Sequence, residues 1–379
     1  MYVTTKSFSH FPSAAFFVIA FFSSIPFFVR HSVGGVAAAT IYAALLILLL
    51  AAVNVEGWIG VLARSRVLAG GAIIALAVAN FAVFPRMRLV AHPSSAPDAL
   101  SVPFARLLAG REPYGKLLFD GAPISPGPGW IVLHGVFTAT GLTPLIVPVW
   151  LGLATWMVGK SGAKPALFVA LVFAPLAFLQ MSVVGHDIFA ISLAFIVMLL
   201  AAFAVPPQGF GLLALAVFAG TIATARLPLI LLPLIIGLGL ARRRNAACGI
   251  RFAVIATVTA VLWHGGFWLW CLKAGDFYQP LHVFQRAHSG AGIWFTLLGA
   301  LGGVASWVWI WLKPKSDISD WLFALWLLQT ALFLPIGVGE LVHAQHSDWS
   351  NRQGWADWEG KNYIAYPLPL LAASLVLRF

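Results

Sequence analysis

The chain has 379 residues, 61% of them hydrophobic and only 9% charged, and its mean hydropathy is +0.92. A soluble globular domain carries about 25% charged residues, so a water-soluble enzyme, a disordered chain and a coiled coil are all excluded. The net charge of +11 comes from cations scattered at the ends of apolar runs, which fits the positive-inside bias and contact with anionic headgroups. No basic face with interleaved aromatics can be drawn, so nucleic acid is not an expected partner.

In chain order, apolar runs able to cross a bilayer fall at 14–29, 33–53, 67–85, 129–159, 165–184, 188–205, 209–225, 227–241, 249–272, 291–312, 320–339 and 363–378. None shows the ten-residue alternation of a membrane barrel, and helices are expected. The expectation is an all-α, polytopic transmembrane bundle of about 11–13 spans, a single domain over 1–379 with no separate soluble unit. Lys6 and a Phe-rich run precede a second span almost at once, so the first run reads as a retained span rather than a cleaved signal. The block 129–159 is too long for one straight span and contains Gly141, Pro144 and Pro148. It reads as two short helices or one broken helix, and is counted as one net crossing. Cys248 and Cys271 fall in one predicted helix about 35 Å apart, which excludes a disulfide within it.

With the N-terminus inside, the short loops bearing Arg64 and Arg66, Lys160 and Lys164, Arg242 to Arg244, and Lys313 and Lys315 face the cytoplasm. The long loops 86–128 and 340–362 then face outward. Most carboxylates share that side: Asp98, Glu112, Asp120, Asp187, Asp276, Glu340, Asp348, Asp357 and Glu359, together with His92, His186, His282, His288, His343 and His346. A permeation path places ionisable groups at mid-membrane. Gathering them on one face points instead to a site on the non-cytoplasmic surface of a plasma or inner membrane, reached by a lipid-borne substrate.

The first long loop holds a candidate helix. Pro97 suits a helix start, and Leu100, Phe104, Leu107 and Leu108 form one apolar face. Pro103 is expected to kink it, and Gly110 followed by Pro113 is a stop. This is a short amphipathic helix expected to lie in the interface, with Asp98 in its first turn. Asp98 can simply complement the helix dipole there, or carry chemistry.

The resemblance enters at these residues. Asp98, then an apolar stretch ending Leu107-Leu108-Ala109-Gly110, then Pro113-Tyr114, resembles the first outer loop of GT-C glycosyltransferases, closest to the polyprenyl-phosphate-mannose-dependent mannosyltransferase branch. Other positions agree in order. Ser125-Pro126-Gly127-Pro128-Gly129-Trp130 stands where the family has a Tyr-Pro-Pro turn, and Gly185-His186-Asp187 where it has a Gly-Gln-x-Asp type motif. Arg226-Leu227-Pro228, followed by Arg242 to Arg244, resembles its basic-x-Pro segment, and Asn362-Tyr363 with Tyr366 its last loop-to-helix junction. Three spans precede the Asp loop here rather than one, His186 replaces Gln, and no Asp-x-Asp or Glu-x-Asp pair is present, which weakens any metal-dependent oligosaccharyltransferase-like mechanism.

The resemblance implies an inverting glycosyltransferase that moves a sugar from a polyprenyl-phosphate donor to a lipid or glycan acceptor, with Asp98 as general base. The chemistry agrees: a phosphate leaving group needs charge stabilisation, which Arg supplies bidentately, and a hydroxyl nucleophile needs a positioned base. Arg226 and Arg286 are the candidates for the donor phosphate; Arg226 can alternatively snorkel to the interface, and Arg286 can be an ordinary loop cation. Tyr114, His186, Asp187, His282 and Tyr363 are the candidate substrate-binding residues, while Asp187 can equally cap the next helix. No cofactor is indicated, and a divalent metal stays open. His343-Ala344-Gln345-His346 with Asp348 lacks a third ligand on its own element. His264-Gly265-Gly266-Phe267 has no accompanying Gly-x-Ser-x-Gly nucleophile motif and reads as close helix packing. Trp349, Trp355 and Trp358 read as interfacial anchors or sugar-stacking rings. A flippase for a lipid-linked saccharide and a membrane acyl- or phosphotransferase are the rival classes. The flippase requires polar groups within several spans, for which Asn80, Gln180, His264 and Gln329 are the candidates.

Overall fold

The fold is taken from a computed structural model that describes residues 11–31, 35–54, 58–90, 94–206, 209–282, 285, 291–313, 317–345, 355 and 358–378. Those residues build helices and connecting turns without strands. In order they are α1 (Phe11–His31), α2 (Gly35–Ala51), α3 (Trp58–Ala63), α4 (Arg66–Met87), α5 (Asp98–Leu108), α6 (Pro128–Ala139), α7 (Ile146–Lys160), α8 (Pro165–Phe173), α9 (Leu176–Val183), α10 (Ile188–Ala204), α11 (Phe210–Ala223), α12 (Leu232–Arg243), α13 (Ala246–Ala274), α14 (Ile293–Leu312), α15 (Ile318–Gln345), α16 (Lys361–Ala365) and α17 (Leu368–Arg378).

Six helices among the described residues are long and apolar enough to cross a membrane: Phe11–Arg30, Ala37–Asn54, Arg66–Met87, Ala246–Ala274, Ile293–Leu312 and Ile318–Gln345. The pair α8 and α9, bent by 82° at a short break, makes a seventh if it counts as one span. This is a polytopic helical membrane protein. Several runs expected as spans fold as shorter helices: α10 and α11 have 17 and 14 residues, and α12 has 12. The long block after residue 128 divides into α6 and α7, with a 3₁₀ turn at Thr143–Leu145 between them. Gly141 takes a positive φ of 73° there, a conformation that closes a helix readily only with glycine.

The core is organised around α10, which is buried along nearly its whole length from Ile188 to Ala202 and packs against α7, α9, α11, α12, α15 and α17. A helix apolar on all sides belongs in such a position. The outer helices α2, α4, α13 and α14 turn Ile41, Leu48, Ile74, Val78, Leu262, Trp294 and Leu301 outward. In water these faces would be costly, whereas against acyl chains they cost nothing. Small residues set the closest contacts. A Cβ on Gly249 would meet the Gly237 carbonyl oxygen at 2.3 Å, and one on Gly220 the Ala256 carbonyl oxygen at 2.2 Å, so α13 approaches α12 and α11 at backbone distance. Cys248 and Cys271 are buried, unbridged and on the same helix, as their spacing requires.

The expected amphipathic helix is α5. It starts at Asp98 after Pro97 and closes at Gly110, whose φ is 67°. Leu100 is fully buried and Phe104 and Leu107 pack on the core, but Leu108, placed on the apolar face by its spacing, is exposed. Phe104 occupies the space a Cβ on Gly135 would need, at 2.1 Å, which seats α5 closely on α6.

Candidate functional site

A cavity of about 500 Å³ opens at one end of the bundle, within the size range of small-molecule sites. Six parts of the chain build its wall: Arg30 near the end of α1, Met87 and Val90 at and beyond the end of α4, the start of α5 and the turn before it (Ser94 to Ala96, Ala99), the loop 118–126, the junction of α9 and α10, and the segment just before and within α16. Arg226 closes it between them. A narrow, mainly apolar slot of about 40 Å³ adjoins it, lined by Ile188, Ile191, His282, Phe333, Glu340 and Tyr366 among others. Ser125, Ile188, Arg226 and Tyr363 line both spaces and mark their junction.

Each wall is positioned by a local necessity of the sequence. Pro175 has no N–H to continue α8, so the chain breaks and turns by 82° into α9. The polar groups freed at the break find partners on α1 and α2: Tyr42 Oη donates to the Ala174 carbonyl at 2.8 Å, and the Leu176 N–H donates to Ser24 Oγ at 3.0 Å. The bend brings Gln180 and Met181 of α9, and Val184 just past its end, to the cavity wall. On the opposite side, the turn before α6 locks onto the end of α11. The Gly127 N–H donates to the Thr224 carbonyl at 3.0 Å, and the Trp130 N–H to Thr224 Oγ1 at 2.9 Å. A Cβ on Gly127 would lie 2.1 Å from that carbonyl oxygen, so the glycine is required for the approach.

This lock carries the Trp130 side chain to Asp187. The indole Nε1–H donates to Asp187 Oδ2 at 2.6 Å, while Arg226 Nη2 donates to Oδ1 at 3.3 Å. His186 Nδ1 lies 3.3 Å from Oδ1 and 3.2 Å from the Ile188 amide nitrogen. It can bond the carboxylate only when protonated and accept from the amide only when not, so Arg226 and Trp130 are the constant partners. Burial alone would raise the Asp187 carboxyl, but the Arg226 guanidinium, then His186 and Trp130, outweigh it and hold the group well below the usual carboxylate range. Asp187 stands at the N-cap position of α10 yet makes no capping bond. Its carboxylate is spent on fixing Arg226, whose Nη1 also donates to the Ala225 carbonyl at 2.6 Å. Behind Trp130, His134 Nδ1 pairs with the Trp130 carbonyl at 2.9 Å and His134 Nε2 accepts from Trp150 Nε1 at 2.9 Å, so the proton is on Nδ1.

Asp98 has a different setting. Arg88 Nη2 reaches Oδ1 at 2.9 Å and Oδ2 at 3.0 Å, and Arg88 Nη1 donates to the Ser94 carbonyl at 3.0 Å. Ser95, Ala96 and Ala99 line the cavity, whereas Asp98 does not. Asp120 does line it, with Oδ1 accepting the Ala122 N–H at 3.0 Å.

Of the residues expected at a site, His186, Asp187, Arg226 and Tyr363 converge on the large cavity, and His282 lies on the adjoining slot. His282 Nδ1 donates to the Gln279 carbonyl at 2.7 Å, and Nε2 is 3.4 Å from Ser125 Oγ. Tyr114 is placed elsewhere, in the core of the loop between α5 and α6. Its Oη donates to the Pro126 carbonyl at 3.0 Å, its ring meets Tyr278 edge-on at 5.1 Å, and burial pushes its phenol well above the ordinary value, so it remains a donor. Gln279 ties that loop together: Oε1 accepts the Ile124 N–H at 2.6 Å and Nε2 donates to the Tyr114 carbonyl. Arg286 lies outside the described residues, as do His92, His288, His346, Asp348, Trp349 and Asp357. Trp358 is buried and donates to the Gly337 carbonyl at 2.8 Å.

Polar residues inside the helices are only partly paired, with Asn80 Oδ1, His264 Nε2 and Gln329 Nε2 buried and without a partner among the described residues. Asn80 donates to the Pro144 carbonyl and to Ser182 Oγ, both at 3.0 Å, His264 Nδ1 pairs with Tyr278 Oη at 2.6 Å, and Gln329 Oε1 accepts from Ser192 at 3.4 Å. Among the described residues, no group of three or more His, Cys, Asp or Glu is arranged to hold a metal ion. Arg30, Arg88 and Lys361 stand in no sequence motif, Asp120 stands out only among the outward carboxylates, and Trp130 and Tyr366 only as parts of motifs. No protein-family model matches the chain, and no curated protein or solved structure matches it.

Proposed function

We propose that the chain is a GT-C-type glycosyltransferase that transfers a sugar, with inversion, from a polyprenyl-phosphate donor to a lipid or glycan acceptor on the non-cytoplasmic face. The observation that carries this reading is Arg226. An arginine is held by a buried carboxylate at the junction of a polar cavity of about 500 Å³ and an apolar slot, in a bundle of membrane-spanning helices. A lipid phosphate is the chemistry that needs all three: a fixed cation for the phosphate, polar space for the sugar and an apolar exit for the chain.

In the transfer the acceptor oxygen attacks the anomeric carbon while the bond from that carbon to the phosphate oxygen breaks, its electron pair leaving with the phosphate. Arg226 balances the charge that develops there. Asp98 takes the acceptor proton as general base, which requires its pair with Arg88 to open on substrate binding. That pair also favours a second reading of the base, Asp120, whose carboxylate already lines the cavity.

Purified full-length chain is supplied with a labelled polyprenyl-phosphate sugar and membrane lipid extract. Asp98→Asn lowers the rate at least a hundredfold while Asp120→Asn lowers it less than fivefold, on the scale of a general base's contribution, about 10²–10⁴. The reverse order moves the base to Asp120. Near-wild-type transfer by both variants removes the general-base step, and retention of configuration removes the single displacement.

A further inference from the structure

The slot beside the cavity contains a hydroxyl that folding leaves unused. Tyr366 is 2% exposed, and its Oη is buried without a hydrogen-bond partner among the described residues. A buried unpaired hydroxyl is costly, and most such groups find partners. The chain does not leave it there by looseness: the Tyr366 ring is clamped edge-to-face on Phe333 at 5.5 Å, and the turn N–H of Tyr366 itself donates to the Asn362 carbonyl at 3.0 Å. The residue lines the slot together with Arg226, and the guanidinium is within electrostatic reach of the hydroxyl. Asn362, on the wall of the large cavity, carries a buried acceptor, Oδ1, that likewise has no partner among the described residues.

We infer that the Tyr366 hydroxyl is a second anchor for the substrate anion, donating a hydrogen bond to a phosphoryl oxygen held by Arg226 at the junction of slot and cavity. The inference rests on the lipid-phosphate reading of that junction and deepens it. Arg226 supplies the charge, fixed in direction by Asp187 and Trp130. Tyr366 supplies a neutral donor from the apolar side, where a phosphate monoester or diester on an alkyl chain enters. Glu340 also lines the slot, so selection of an anion depends on Arg226 and this hydroxyl rather than on the net charge of the wall. Asn362 Oδ1 is an acceptor and suits a sugar hydroxyl in the cavity, not the phosphate.

Two effects of Tyr366→Phe separate binding from folding. Phenylalanine keeps the ring and its packing on Phe333 and deletes only the unpaired oxygen, so stability is unchanged or raised. A hydrogen bond to a charged partner is lost from the complex, and affinity for the anion falls about tenfold or more. Full-length protein in detergent is titrated calorimetrically with dodecyl phosphate, inorganic phosphate and dodecanol, and its thermal midpoint is recorded. The expected result is that wild type binds dodecyl phosphate, Tyr366→Phe binds it at least tenfold more weakly at an unchanged or higher midpoint, and dodecanol shows no difference. Weakening by the same factor for inorganic phosphate identifies the phosphoryl group itself as the ligand; weakening for dodecyl phosphate alone identifies a lipid phosphate. Equal binding of dodecyl phosphate by the two proteins overturns the inference, as does a lowered midpoint, which gives the hydroxyl a structural partner, or failure of wild type to bind. Wild type that binds dodecyl phosphate through Tyr366 but transfers no sugar overturns the glycosyltransferase reading and leaves this site standing.

Discussion

Replacing Asp187 with Asn tests the frame of the site without any substrate. The side chain keeps its shape but loses its charge, and one of its two oxygens becomes an amide NH₂. Both oxygens face donors, Trp130 Nε1 at 2.6 Å and Arg226 Nη2 at 3.3 Å, so either orientation of the amide sets donor against donor. Arg226, whose side chain is 12% exposed, is left as a nearly buried cation without its carboxylate. Removing one partner of a buried ion pair costs about 3–5 kcal/mol. With an unfolding entropy of roughly 2.1 cal/mol/K per residue over 379 residues, that is a fall of about 4–6 °C in Tm. The assay is a thermal scan of the full-length chain in detergent, with Arg226→Gln and the double variant alongside. The double variant is expected to melt above the sum of the two single losses, because no charge is then stranded. A Tm for Asp187→Asn within 1 °C of wild type, or strictly additive losses, would refute the clamp on Arg226.

Three further expectations can be checked with the same preparation. The Asp187 carboxyl titrates below its unfolded value of 3.8, so its contribution is fully present above that pH and is lost as pH falls below it. The Tm difference between wild type and Asp187→Asn should shrink as pH falls below about 4. Gly127→Ala places a Cβ 2.1 Å from the Thr224 carbonyl oxygen; overpacking of this kind costs about 1–3 kcal/mol or more, and reduced yield of monodisperse protein on size exclusion is the expected readout. Trp130→Phe removes the indole N–H but keeps an aromatic ring beside His134; a fall in kcat/KM of about tenfold is expected, because the indole acts through Asp187 and Arg226 on the charge of the leaving phosphate, and an unchanged kcat/KM contradicts it.

Much of the frame was legible in the chain. Apolar runs announced membrane helices, Pro97 and Gly110 bracketed α5, and Gly141 with Pro144 marked the break between α6 and α7, because backbone chemistry acts locally. Span length was less legible. The runs after Asp187 and Gly209 are apolar enough, but Pro206, Gly209, the Arg226-Leu227-Pro228 turn and Arg242 to Arg244 stand at the ends of helices shorter than the runs suggest. Side-chain partners were the least legible. Arg88 and Asp98 are close in sequence, yet nothing in their spacing reveals that both carboxylate oxygens are taken. Trp130 and Asp187 are 57 positions apart, and their contact depends on Gly127 and Gly129 admitting Thr224, an arrangement visible only once α6 and α11 are packed. Tyr114 stands in a motif that resembles a substrate-facing one, but its hydroxyl has a nearer acceptor in Pro126.

The most direct test of the central claim is sugar transfer itself. Purified protein, incubated with a radiolabelled polyprenyl-phosphate sugar and membrane lipids, is expected to release polyprenyl phosphate and form a labelled glycoconjugate of inverted anomeric configuration, with Arg226→Gln abolishing the reaction. Translocation of the intact donor across a vesicle membrane without cleavage of its sugar–phosphate bond, or transfer that survives Arg226→Gln at the wild-type rate, would contradict the account.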